Sequence, residues 1–405
     1  MKFIFTGFSP NTSFSDVTRA FTWLLQPWRW SAKDVVEKLE YWFREYFLSQ
    51  YAVAFDSGRS ALEKSLQAGG IKAGDEVILQ AFTCVVVANA ITHLGAVPLY
   101  VDCLDDYTLD PTGVEPKITS KTKAIIIQHT FGAPAHLEEL LVIAKTHNLV
   151  VIEDCAHSLG AMYKGQLLGT FGDLAMFSFG SDKVISGVRG GMVITNNKKY
   201  GEALKNTQRN LPRLSFLIQL QHLLHPIFFF LGKKTYHLLV GKIILFAAQK
   251  LRLINRIIDP PEKQGTALDW FPAQLPNPLA SLAFEQIKNL DPWNKIRQTN
   301  AAFYARELMN KLSVQKKGTE QTWLRFPIQV SDVPQLREKA RRNNIILGDW
   351  YSCPIAPGDS SPQAAGYVSG SCPNAEKIGQ SIVNLPTDPL LTQTDRERVI
   401  ALFNE

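Results

Sequence analysis

Three short stretches carry polar side chains where an apolar core should be closing: "FDSGRSAL" with Ser57, Gly58 and Arg59, "IEDCAHS" with Asp154 and His157, and "FSFGSDK" with Ser178 and Lys183. A serine and a glycine ahead of an apolar-periodic run read as a helix start, where free backbone N–H groups and the helix dipole favour an anion. A carboxylate at the end of "VVIED" is a fixed negative charge able to hold a protonated ring nitrogen. A lysine at the edge of a core becomes a nucleophile once it is desolvated or set beside another cation. Each stretch also has a plain structural reading: a turn glycine, an N-capping aspartate, a solvated loop lysine.

The elements around them decide which reading holds. "YAVAF" (51–55), "EVILQ" (76–80), "VPLYVD" (97–102), "KAIIIQH" (123–129), "LVVIED" (149–154), "LAMFSF" (174–179) and "GMVIT" (191–195) are short apolar runs, mostly β-branched. Helical patterns such as "AHLEELLVIAKTHN" alternate with them. That alternation predicts an α/β fold, a mainly parallel central sheet with helices on both faces. Ligands then belong at the carboxyl ends of the strands, where all three stretches fall.

Together the three stretches suit one cofactor, pyridoxal 5'-phosphate. Its phosphate would rest on the helix start at Ser57, Gly58 and Arg59, with Ser178 adding a hydroxyl. Its ring nitrogen works as an electron sink only when protonated, which Asp154 would maintain. Its aldehyde needs an amine, and Lys183 would both bond it and, once displaced by a substrate amine, carry protons as general acid and base.

The motifs "SGRSAL", "AGDEVILQAFT", "VVIEDCAHSLGAMYKGQLLGTFGDLAMFSFGSDK", "GGMVITNN" and "NLPTDPLLT" resemble, in this order, the DegT/DnrJ/StrS aminotransferases. The resemblance implies a fold-type-I pyridoxal phosphate enzyme, a homodimer that moves an amino group from an amino acid such as glutamate to a nucleotide-linked keto sugar, as in polysaccharide biosynthesis. It makes Lys183 the cofactor lysine, Asp154 the partner of the ring nitrogen, and places His157 near the ring hydroxyl. Four positions depart from the family pattern. Cys84 stands where an aromatic residue commonly stacks on the cofactor, so either a smaller side chain or Phe82 covers the ring. Arg59 replaces a small residue, to contact the phosphate or to point outward. Arg189 replaces an acidic residue before paired glycines, and "PAQLPNPL" replaces the segment that reaches the neighbouring subunit.

The chain of 405 residues divides on composition into a helical segment (1–50), a cofactor-binding α/β domain (51–210), a basic apolar helical insertion (211–268), and a linking helix with a smaller C-terminal α+β domain (269–405). Between residues 203 and 258 there are nine lysines and arginines and no acidic residue, against a net charge of +6 for the whole chain. Pro226 and Gly232 are expected to interrupt the helices there. The insertion is either a helical subdomain that packs on the dimer or covers the active site, or a hairpin lying on an anionic membrane. Nucleic acid is not expected, because the positive charges alternate with Leu, Ile and Phe rather than with a polar stacking face. Five widely spaced cysteines without a CxxC pair predict no disulfide framework and no metal, and with the lack of a signal peptide they predict a cytoplasmic protein, with contact at the inner face of a membrane through 211–258. A pyridoxal phosphate acyltransferase and a non-catalytic cofactor-binding sensor or membrane scaffold are the competing readings.

Overall fold

The computed structural model describes residues 2–403 apart from Phe8, Asn255 and residues 309–318. The chain begins as a short strand, β1 (Ile4–Phe5), followed by helix α1 (Phe14–Leu24). Asp16 accepts from the Ser13 backbone and hydroxyl, which fixes the start of α1. In α2 (Asp34–Phe47), Val36, Leu39, Phe43 and Phe47 recur at helical spacing and are buried.

The central sheet is built from β2 (Tyr51–Phe55), β3 (Glu76–Gln80), β4 (Val97–Val101), β5 (Thr122–Gln128), β6 (Val150–Asp154), β7 (Leu174–Ser178) and β8 (Gly191–Thr195). Their order is β2-β8-β7-β6-β5-β3-β4. Only β8 runs antiparallel to its neighbours, while the other pairs are parallel. Alternate side chains sort to opposite faces: Ile125, Ile127 and Phe177 join one core, and Ala124, Ile126 and Met176 the other. Leu39 and Phe43 of α2 cover the first face, with α5 (Leu137–Thr146). The second is covered by α3 (Gly58–Ala68), α4 (Val85–Thr92) and α6 (Lys198–Asn210). The sheet is thus buried on both sides, as its continuous apolar strands require.

Helices α7 (Phe216–Lys234) and α8 (Val240–Lys250) form a hairpin that packs through α7 on α1. Here the structure corrects the sequence reading, because α7 runs unbroken through Pro226 and Gly232. Gly232 does not end the helix; it admits α8. A Cβ there would meet Leu245 Cγ at 2.5 Å, and one at Gly241 would meet the Gly232 carbonyl oxygen at 2.1 Å. Packing on both sides holds the helix through its proline.

Next come α9 (Asn277–Ile287) and α10 (Leu290–Glu307), which break before Pro292 and leave the proline in the first turn, where it is tolerated. A smaller α+β assembly follows: β9 (Phe326–Gln329), α11 (Val333–Arg342), β10 (Ile345–Ile346), α12 (Pro373–Ser381), β11 (Ile382–Leu385) and α13 (Gln393–Ile400). Its core joins Tyr304, Phe326, Leu336, Ile345 and Val383. The opening residues belong here too, since β1 pairs in parallel with β10. The sequence had assigned them to a helical segment; two apolar residues before a glycine carry no periodicity that would reveal a distant strand partner.

Candidate active site

Strands β2, β6 and β7 occupy one half of the sheet, with β8 between β2 and β7. Their carboxyl ends therefore open on a single cavity of about 160 Å³, lined by Ser57, Gly58, Arg59, Cys84, Asp154, His157, Ser178 and Lys183 among others. All eight residues singled out in the sequence meet there.

Ser57 is the N-cap of α3. Its Oγ accepts from the Ser60 N–H at 3.2 Å and pairs with the Ser60 hydroxyl at 2.8 Å. With its side chain engaged, the anion donors at this end are the backbone N–H groups of the first turn. Two glycines bring three chain segments together at this point. A Cβ on Gly58 would lie 2.7 Å from Ser178 Oγ, and one on Gly191 would lie 2.5 Å from the Ser57 carbonyl oxygen. The Ser178 hydroxyl is therefore held against the helix start, and a larger residue at position 58 would fill the notch.

Opposite lies the proton-handling group. The Phe131 N–H donates to His157 Nδ1 at 3.2 Å, so the neutral ring keeps its proton on Nε2. That nitrogen faces Lys183 Nζ at 3.1 Å and the Tyr351 hydroxyl at 3.4 Å. Burial, reinforced by the charges of Lys183 and Arg325, pushes the His157 pKa well below its ordinary value. The contact fixes where the Lys183 amine sits on the cavity wall, as a nucleophile at a carbonyl requires. Asp154 is buried and accepts from the Ala156 N–H at 3.0 Å. Burial raises its pKa while that hydrogen bond and the Lys183 charge oppose the rise, so its carboxylate is best served by a proton-bearing partner within the cavity.

Its neighbour on β6 shows the contrast. Glu153 points to the other face and accepts from the N–H groups of Gly169, Phe171 and Gly172 at 2.7–2.8 Å, and from His129 Nε2 at 3.0 Å. His129 Nδ1 in turn accepts from the Ala135 N–H at 3.2 Å. Glu153, His129 and Cys155 are close enough together to suggest a metal, but these lone pairs are spent on the protein itself. Of two consecutive carboxylates, one is structural and one faces the cavity.

Several lining residues were not singled out by sequence. Trp350 and Tyr351 come from the loop after β10. Trp350 stacks on His157 (5.1 Å between centroids, 15° between planes), with Lys183 Nζ 4.3 Å from its centroid and the Arg325 guanidinium 3.3 Å away on the indole. The loop is stitched down where Ile355–Ala356 pairs with Thr83–Cys84. The aromatic pair in "DWYSCP" was the available signal. Cys84 lines the cavity with its thiol pKa raised by burial, whereas Phe82 turns into the core against Tyr107 and Tyr351. Of the two ways to cover the ring, the smaller side chain is the one placed at the cavity.

The Arg59 guanidinium is held by the Glu262 carboxylate and the Ile257 carbonyl, so it ties the exit of the basic segment to the cavity rim, and Ile257 and Ile258 become lining residues. This corrects both readings of its side chain, which neither reaches freely for an anion nor points into solvent. Arg189 is different. It is buried, none of its guanidinium nitrogens has a hydrogen-bond partner among the described residues, and it sits 4.3 Å from the Trp270 ring centroid with Asp56 Oδ2 3.5 Å away. Burial and the Arg59 charge lower its pKa to about 10.

Residues 13–211 and 271–404 match the family model of the DegT/DnrJ/EryC1/StrS aminotransferases. The chain is 43% identical to GDP-perosamine synthase of Escherichia coli O157:H7 over 172 residues, a match spanning 42% of this chain and 47% of that protein. Over 401 residues it is 29% identical to a pleiotropic regulatory protein of Geobacillus stearothermophilus (96% and 94% covered). It is also 29% identical to dTDP-3-amino-3,6-dideoxy-alpha-D-galactopyranose transaminase of Aneurinibacillus thermoaerophilus (91% and 89% covered). Among solved structures, S. venezuelae DesV superposes with a TM-score of 0.75 at 26% identity, covering 96% of this chain and 94% of that one. The cavity, the sheet that builds it and these likenesses agree: the chain belongs to the DegT/DnrJ/EryC1/StrS aminotransferase family.

Proposed function

We propose that this aminotransferase uses pyridoxal 5'-phosphate to move nitrogen from an amino acid, glutamate in the first instance, to a keto sugar carried on a nucleotide, in two alternating half-reactions. The observation that carries the proposal is the meeting of Asp154, Lys183 and the start of α3 around one cavity of about 160 Å³. The residues fit the cofactor. The notch kept open by Gly58 and the Arg189 guanidinium, whose nitrogens have no hydrogen-bond partner among the described residues, suit a phosphate, Asp154 suits a protonated ring nitrogen, and Lys183 suits an aldehyde.

The backbone N–H groups of the helix start at Ser57, Gly58 and Arg59, with the Ser178 hydroxyl, would hold the phosphate end, Asp154 the ring nitrogen, Lys183 the aldehyde carbon, with His157 beside the ring hydroxyl and Cys84 against a ring face. Bound there, the cofactor supplies the electron sink and the carbonyl that takes up the donor's nitrogen. Lys183 Nζ would take the proton off the donor's α-carbon and pass it to the cofactor's former aldehyde carbon in the first half-reaction, and in the second would carry a proton the opposite way, onto the sugar carbon being aminated. His157 stays neutral and aims the lysine through its Nε2 proton. Trp350 and Tyr351 wall the substrate side and exclude water.

The enzyme acts as a homodimer in the cytoplasm, where its five free cysteines are stable, and touches the inner face of a membrane through its basic segment. Residues 211–268 are read as an insertion, since the family match stops at 211 and resumes at 271. The test is a spectrum of the purified enzyme: glutamate should convert the absorbance of the aldehyde form to that of the amine form, and a nucleotide-linked keto sugar should restore it. A cofactor-loaded protein that responds to no amino acid contradicts the proposal and favours a non-catalytic sensor.

A further inference from the structure

We propose that the tip of the α7–α8 hairpin is a docking prong for an anionic lipid surface, with an adjoining cavity that receives the phosphate headgroup. This deepens the peripheral contact put forward above and shares no residue with the catalytic cavity.

The tip is apolar and exposed. Leu238, Leu239, Val240 and Ile243 are 50–65% exposed, and Phe246, one turn further along α8, is 68% exposed. Leu239 holds φ at +60°, a left-handed conformation that asparagine or glycine takes more easily, yet the position carries leucine. The two helices approach closely below the tip, where a Cβ on Gly241 would collide with the Gly232 carbonyl oxygen.

Cations ring this tip. Lys242 Nζ lies 5.2 Å from the Tyr236 ring centroid and 5.5 Å from that of Phe3, and Lys234 Nζ lies 4.7 Å from that of Phe230. Between the hairpin and the N-terminal strand opens a cavity of about 570 Å³, lined by Lys2, Phe3, Phe230, Lys233, Lys234 and His237, with Asp388 the one carboxylate on its wall among the described residues. Lys233 Nζ donates to the Ser9 carbonyl at 3.2 Å, which anchors it at the cavity. Lysines around an apolar, phenylalanine-lined opening suit a ligand with a phosphate head and an acyl tail.

Charge decides between occupants. A second copy of the chain meeting this surface about a two-fold axis would bring like lysine clusters face to face. A bilayer rich in anionic lipid accepts both the lysines and the apolar tip. Among the described residues no helix is long and apolar enough to cross a membrane, so the prong lies on the surface rather than spanning it.

The test uses the full-length holoenzyme with vesicles of phosphatidylcholine alone and of phosphatidylcholine mixed with phosphatidylglycerol, read by flotation at physiological salt. Binding is expected only to the anionic vesicles. Lys234→Gln and Lys242→Gln should each lower the partition about fivefold, and Leu239→Asn with Ile243→Gln should abolish it, all with the glutamate-induced spectral change intact. That spectral control separates this proposal from the catalytic one. Absent or equal binding to the two vesicle types, or unchanged binding by the variants, overturns the proposal. Displacement by millimolar inorganic phosphate would make the cavity a soluble-anion site instead. A halved mass in the Leu239→Asn, Ile243→Gln variant would make the surface a subunit interface.

Discussion

The catalytic cavity and the α7–α8 hairpin break the ordinary distribution of polarity in opposite ways. At the cavity, polar and ionisable groups are buried: Asp154, His157 and Arg189 are each at most 5% exposed. At the hairpin, apolar groups are exposed, with Ile243 and Phe246 about two-thirds open to solvent. A buried polar group with hydrogen-bonding capacity left over and an exposed apolar cluster are both costly, and each points to something that completes it. The difference lies in what the completing group must be. The cavity defines it atom by atom, through a proton on His157 Nε2 or a notch kept by Gly58, whereas the hairpin specifies only a surface of matching character.

The largest expected effect falls where the cavity's electrostatics are most specific. Asp154→Asn keeps the shape and removes the charge, so turnover should fall by about 10²–10³-fold while the cofactor still binds; steady-state rates alongside an absorbance titration check this. Arg189→Gln comes next. Losing one charge-assisted contact should weaken pyridoxal phosphate binding about tenfold and leave phosphate-free pyridoxal unaffected, as titration with both would record. Equal weakening of the two would mean that Arg189 only supports the fold.

A smaller effect is shared by the two regions, because each buries a histidine. Burial depresses His157 well below the usual range and His225 of α7, beside the Ser9 hydroxyl, to about 3. Unfolded histidine titrates near about 6.5. Below that pH the unfolded chain takes up protons that the folded chain refuses, so stability is lost as pH falls, by up to ~1.4 kcal/mol per unit for each histidine. Denaturant unfolding between pH 7 and 5 measures the slope, and His225→Asn should flatten it. Smallest of all, Ile243→Gln on the hairpin should change stability by less than about 0.5 kcal/mol, because the side chain already faces solvent; a large loss would show that its surface is covered in the free protein.

The cavity was more legible than the hairpin for a physical reason. Ser57-Gly58, Asp154 and Lys183 follow strands whose apolar runs are unmistakable, and a parallel sheet delivers such ends to one place. Trp350 and Tyr351 were missed because they arrive on a Pro/Gly/Ser-rich loop, whose path is set by the pairing of Ile355–Ala356 beside Cys84 and not by periodicity. The role of Arg59 was misjudged because its partner, Glu262, lies beyond a long intervening segment. The β1–β10 pairing was invisible for the same reason, while α7 ran through its proline because packing outweighed local propensity.

The central claim is that Lys183 is the amine that bonds the cofactor. Borohydride treatment of the holoenzyme, followed by digestion and mass analysis of the peptides, tests it in one measurement. The account predicts a pyridoxyl adduct on Lys183 and none in Lys183→Ala; an adduct on any other lysine, or a reducible chromophore that survives in that variant, would contradict it.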